Sequence, residues 1–208
     1  MKISEAKDIA GTLGAPSKMP GSSYGISAFA CKTGAKLALV PGSVCHGCYA
    51  MKGNYTFPSV QGSQAKRLAG ITLPRWVEAM TTLLLNSGER WHRWHDSGDL
   101  QSVTHLAKIV LVAKATPSIR HWLPTREGAM VQAYVKAGGI VPKNLVIRIS
   151  ATMIDGPAPQ FWPTTSTVHT VKAPDGARTC PAPTQGNECG DCRACWNPEV
   201  KSVSYHKH

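Results

Sequence analysis

RWHRWHDSGDLQSVTHLAKIVLVAKATPSIRHWLP, Arg90 to Pro124, decides the fold. Arg90–Asp96 (RWHRWHD) alternates as a strand does. Ser102 is placed to cap a helix on which Val103, Leu106, Ile109, Val110 and Ala113 share one face. Pro117 follows its end, and Ile119–Pro124 (IRHWLP) is a second strand. Strand, helix and strand at this spacing make a βαβ unit, whose strands run parallel because the helix carries the chain back to where it began.

The same reading extends both ways. Downstream, Glu127–Ala137 is helical and stops at Gly138-Gly139, a C-terminal signal. Leu145–Ala151 (LVIRISA) is the clearest strand, and Thr167–Val171 (TVHTV) reads as the last. Upstream, Tyr24–Ala30 (YGISAFA) is a candidate first strand and Cys31–Tyr55 a loop of the length that usually serves function. Ser63–Ala69 is a short helix. Pro74 opens the next at its N1 position, with Trp76, Val77, Met80, Leu83 and Leu84 on one face, and Asn86, Ser87 and Gly88 stop it. Five or so strands alternating with helices predict an α/β fold: an open, partial β/α barrel with mostly parallel strands over residues 1–173. Residues 174–208, rich in Pro, Gly and Cys, read as a metal-holding appendage packed on it.

The 208 residues are 42% hydrophobic and 17% charged, an ordinary globular mixture. The longest apolar runs, such as Met80–Leu85 and Ile109–Ala113, are too short to cross a bilayer. The first residues are polar and lack the apolar stretch of a signal peptide, so the expected compartment is the cytoplasm. Seven clustered cysteines in a reducing compartment favour metal over disulfides. A net charge of +11, from 23 Lys and Arg against 12 Asp and Glu, favours anionic partners: nucleic acid, phosphates or a small-molecule carboxylate. No block of consecutive Lys or Arg forms an arm. The six tryptophans are expected in the core.

The tail carries Cys180, then Cys189, Cys192 and Cys195 as C-x2-C-x2-C. That run puts three thiolates on one tightly turning loop, as in ferredoxins, and Cys180 supplies a fourth for a [4Fe–4S] cluster. Zinc held by four cysteines more often uses two separated C-x2-C knuckles, which leaves zinc as the alternative. Cys31, Cys45 and Cys48 form a second group. Three ligands without an obvious fourth leave one coordination position for a substrate or cofactor. A single cluster drawing on both groups is the competing arrangement.

Ligands of parallel α/β folds bind at the carboxyl ends of the strands. Those ends here carry His95-Asp96-Ser97-Gly98-Asp99, Thr125-Arg126-Glu127, and Arg148, Ser150 and Thr152. Helix capping accounts for Asp99, Ser102 and Thr125 equally well. It does not account for His95 and Asp96. His92 and His121 read as ordinary strand residues.

PGSVCHGCYAMKGNY, RWHDSGDL, LPTRE and CGDCRACW resemble the phage domain family called gene product eighty-eight, from about Cys31 to the C-terminus. The resemblance implies a phage protein acting in the cytoplasm of the infected bacterium. More distantly, the layout is similar to radical S-adenosylmethionine enzymes, in which a three-cysteine loop after the first strand holds a [4Fe–4S] cluster and the cofactor chelates its open iron. That similarity implies Cys31, Cys45 and Cys48 as cluster ligands. It sets Ser97-Gly98-Asp99 at the cofactor's amino group, with Asp99 on the ammonium. Arg126 or Arg148 would hold the carboxylate, and Ser150 or Arg148 would approach ribose or carboxylate. Cys180, Cys189, Cys192 and Cys195 would hold an auxiliary cluster. This chain has thirteen residues between its first two cysteines and SGD in place of GGE. The rival expectations are a metal-stapled nucleic-acid-binding module, with zinc or iron–sulfur, and an electron carrier.

Overall fold

The computed structural model describes residues 1–207. Its helices are α1 (Ile3–Ala10), α2 (Thr33–Ala38), α3 (Pro58–Gly70), α4 (Trp76–Leu85), α5 (Val103–Ala115) and α6 (Gly128–Lys136). Its strands are β1 (Ser22–Tyr24), β2 (Trp91–Trp94), β3 (Arg120–Thr125), β4 (Leu145–Ser150), β5 (Thr165–His169), β6 (Arg178–Thr179) and β7 (Ser202–His206). All seven form one sheet in the order β1-β2-β3-β4-β5-β7-β6, with every neighbouring pair parallel. The first five strands cross the sheet in chain order, so right-handed crossovers lay successive helices on one face. There α1, α4, α5 and α6 pack side by side. The result is the expected α/β class, with an open sheet wound like an incomplete β/α barrel.

Side chains alternate across the sheet, and the two faces are filled differently. Leu145, Ile147 and Ile149 of β4 meet Trp76, Met80, Leu106 and Ile109 in the buried helical layer. His92, Trp94 and His121 share that side: the Trp94 and His121 rings stack at 6.0 Å, and both histidines are fully buried. Ser22 Oγ lies 2.9 Å from His92 Nδ1, and Thr116 Oγ1 lies 2.8 Å from His121 Nε2, so these are hydrogen-bonded core residues.

The tail covers the other face. A turn at Ala194–Trp196 lays Trp196 against Trp91 (5.5 Å between rings) and Trp122 (5.2 Å), and its Nε1 donates to the His92 carbonyl at 2.9 Å. Arg148 donates from beneath to the carbonyls of Ala194, Cys195, Asn197 and Thr165. β7 slots between β5 and β6, pairing with β5 along five residues.

Several boundaries depart from the sequence reading, among them α3, which begins at Pro58 rather than Ser63 because proline takes its first turn. Tyr24–Ala30 is a strand only through Tyr24, and Ala28–Ala30 is a 3-10 turn with Phe29 N donating to Ser27 Oγ at 3.3 Å. The chain is pressed against the β2 loop at Gly25, where a Cβ would meet Asp96 Oδ1 and stand 2.8 Å from Ser97 Oγ. Pro74 lies before α4 rather than at N1, because the turn at Leu73–Trp76 closes first. Thr167–Val171 is not the last strand: pairing starts at Thr165, and β6 and β7 follow. The Cys31–Tyr55 stretch contains α2 and 3-10 turns at Tyr49–Met51 and Gly53–Thr56.

Because the tail fills one sheet face, Trp196→Ala is expected to lower unfolding free energy by about 3–5 kcal/mol. A chain ending at residue 173 is expected to lack a cooperative transition. Urea unfolding followed by tryptophan fluorescence measures both.

Candidate functional site

A cleft of about 120 Å³ opens at the carboxyl ends of β2, β3 and β4. Its walls bring together Cys31, Cys45 and Cys48 from the loop with Arg93, His95–Asp99, Arg126 and Ser150 from the strand ends. Three contacts pin the loop to those ends. Tyr49 Oη donates to the Asp96 carbonyl after β2 at 2.7 Å. The Thr33 amide and hydroxyl donate to the two Glu127 carboxylate oxygens after β3, each at 2.8 Å. Val44 N donates to the Thr152 carbonyl after β4 at 2.9 Å. Gly34 lets the cysteines approach: a Cβ there would stand 3.0 Å from Cys31 Cβ, 3.5 Å from Cys31 Sγ and 3.6 Å from Cys45 Sγ.

Asp99 ties the β2 loop to β3. One carboxylate oxygen accepts from Leu100 N (2.7 Å) and the Thr125 hydroxyl, the other from Arg126 N at 2.9 Å. It is therefore a strand-end crosslink rather than a helix cap. Ser102 is the cap of α5, accepting from His105 N at 3.0 Å. Ser97 Oγ donates to the Ile26 carbonyl at 2.8 Å and accepts from Gln64 Nε2 at 2.9 Å. Gly98 has φ +77° and packs on Ile26, where a Cβ would stand 2.8 Å from the carbonyl oxygen. Only glycine meets both conditions without strain.

Of the six residues expected around a cofactor, Ser97, Gly98, Asp99, Arg126 and Ser150 line the cleft. Arg148 does not: its guanidinium is fully buried and spent on tail carbonyls. The sequence reading placed Glu127 at this edge but missed its partner Thr33, and it missed Arg93 and the role of Tyr49. Arg93 was legible as the residue alternating with His92 and Trp94, hence on the opposite face. Its guanidinium lies 4.6 Å over the Trp122 ring. Arg93 Nε, Arg126 Nε, both ring nitrogens of His95 and Asp96 Oδ1 are buried with no hydrogen-bond partner among the described residues. His95 itself sits at φ +57°, in the left-handed region.

Burial, aided by Asp99, Cys45 and Cys48, pushes Cys31 up to about 12 against the pull of Arg126. Burial also raises Cys45. In the tail, Cys189 is raised by burial and by nearby Cys180 and Cys192, and Cys195, 3.2 Å from the Tyr205 hydroxyl, is pushed up by burial to about 11. Among the described residues no three Cys, His, Asp or Glu side chains are spaced to hold one metal ion.

Opposite proton linkages meet here. Burial raises Asp99 from its ordinary 3.8 to about 6, so the folded chain holds the extra proton between those values and this group's contribution falls as pH rises through them. The shift corresponds to about 3 kcal/mol. His92, His95, His105 and His121 are held neutral by burial, the last two down to about 3. Their folded forms take up fewer protons below 6.5, so stability is lost as pH falls. Four histidines outweigh one carboxyl. The urea midpoint is expected to drop on acidification from about pH 6.5 toward 4, and more steeply in Asp99→Asn, which lacks the opposing term.

No helix among the described residues is long and apolar enough to cross a membrane. No curated protein and no solved structure matches the chain. Residues 3–198 match the family described as Gene product 88. Almost the whole length is covered, and the chain belongs to the Gene product 88 family, a phage family.

Proposed function

We infer that this is an iron–sulfur protein with two cysteine-ligated [4Fe–4S] clusters, acting in the cytoplasm of the infected bacterium. The observation that carries the reading is the meeting of Cys31, Cys45 and Cys48 on one cleft at the strand ends, beside polar atoms that lack partners. Cys180, Cys189, Cys192 and Cys195 would hold the second cluster. The donor set fits: thiolates are the usual ligands of such clusters, and each binds a different iron. Ligands on separate corners need not converge as zinc ligands must, so the absence of a single-ion cage bears more heavily on zinc. Metal binding would displace the protons of the cysteines that it takes as ligands.

Cys31, Cys45 and Cys48 would hold the first cluster, which when bound would supply one-electron chemistry to a small molecule in the cleft. The residues fit the amino-acid end of a cofactor such as S-adenosylmethionine. Arg126 presents a free guanidinium nitrogen to a carboxylate. Asp99 keeps lone pairs beyond those used by its three donors and would accept from an ammonium. Arg148 has no part in this, since its nitrogens face the tail.

Protein purified without oxygen is expected to be brown, with iron and acid-labile sulfide in near-equal amounts and about eight irons per chain. Cys45→Ala is expected to remove about half of the iron and Cys192→Ala the other half. S-adenosylmethionine is expected to change the electron paramagnetic resonance spectrum of reduced wild-type protein and to leave that of Arg126→Met unchanged. Colourless protein with one zinc per chain would refute the reading.

A further inference from the structure

No Asp or Glu occurs between Asp8 and Glu78, a stretch that holds seven Lys and Arg and includes the whole loop over the cleft. The acids nearest the cleft are turned inward: Asp99 and Glu127 are buried and hydrogen-bonded, and Asp96 has a buried Oδ1. The acids flanking the stretch pair with two of its cations away from the loop, Glu5 and Glu78 with Arg75 and Asp8 with Lys66. Lys32, Lys36 and Lys52 on the loop are exposed, and none of them forms an ion pair among the described residues. In sequence Tyr49 stands between them and Phe29 and Phe57 flank them, and these rings keep 57%, 62% and 54% of their surface in water. The Tyr49 ring is braced edge-on by Tyr55 at 5.7 Å and anchored by its hydroxyl, so it is held out rather than collapsed.

We propose that this loop is a binding platform for single-stranded nucleic acid, laid across the mouth of the cleft. Exposed lysines interleaved with exposed aromatic rings suit a phosphate backbone whose bases stack in passing. A protein partner is less well matched, because lysine is depleted at protein interfaces. A duplex keeps its bases stacked inside and gives the rings nothing to bind. The proposal gives a macromolecular class to the anionic partner that the net charge of +11 favours. It does not require iron, so sulfide analysis and strand binding can fail independently.

The test is fluorescence anisotropy of a fluorescein-labelled oligothymidylate of about 16 nucleotides with the full chain. Affinity is expected to fall at least tenfold between about 50 and 200 mM salt. Lys32→Gln/Lys36→Gln/Lys52→Gln together are expected to weaken binding at least tenfold, and Phe29→Ala/Phe57→Ala about tenfold. The control is Lys114→Gln/Lys136→Gln/Lys143→Gln, which removes the same charge from the exposed ends of α5 and α6 and the turn before β4. It is expected to cost less than about threefold. Equal losses in both lysine variants would mean diffuse attraction to a basic protein and overturn the proposal. So would unchanged binding in the phenylalanine variant, equally tight binding of a DNA duplex, or equally tight binding of polyglutamate, which would mark the surface as a dock for acidic protein.

Discussion

Arg148 is a charge placed where a sheet normally has aliphatic side chains. It is fully buried in the middle strand, and no carboxylate among the described residues pairs with it; burial pulls its pKa down, but a guanidinium does not give up its proton. A charge in that position is tolerable only if its donors are met. They are met by four carbonyls, three of them from residues 194–197. Burying this strand therefore depends on the tail, and Cys195 is fixed against the sheet by the same contact. Trp196, wedged between Trp91 and Trp122, adds apolar area to an attachment that Arg148 makes specific.

The fold was legible where periodicity is strong. β2, α5, β3 and β4 follow from alternation, a serine cap and a continuous apolar run, because each property acts over neighbouring residues. The ends of the sheet were not legible. β1 has three residues and ends where Gly25 presses on the β2 loop, a contact between positions about seventy apart. β7 reads as a polar tail in sequence and becomes a strand because β5 and β6 offer it open edges on both sides. Propensity over five residues carries no signal of such a partner.

The site divides in the same way. The strand-end rule located Ser97, Gly98, Asp99, Arg126 and Ser150 from their positions alone. The rule says where a residue lies but not which way it faces. Arg148 is two residues before Ser150, on the same side of β4, yet the tail claims it before the cleft can. Glu127 reads as the first residue of a helix, and its work of holding Thr33 joins segments that sequence cannot bring together.

Arg93 links these observations. It lines the cleft that carries Cys31, Cys45 and Cys48, and it is also near Cys189, Cys195 and Tyr205 of the tail. Stacked on Trp122, it is held in place by the face that Trp196 seals. A half-buried cation there lowers the cost of thiolates in the tail and is itself favoured by Tyr49 and Asp96 at the cleft. Anything that loosens the tail therefore moves a charge the cleft depends on. The tail cysteines and the cleft cysteines, far apart in sequence, share one electrostatic environment because a strand residue with the parity of Trp91 rather than Trp94 happens to be arginine.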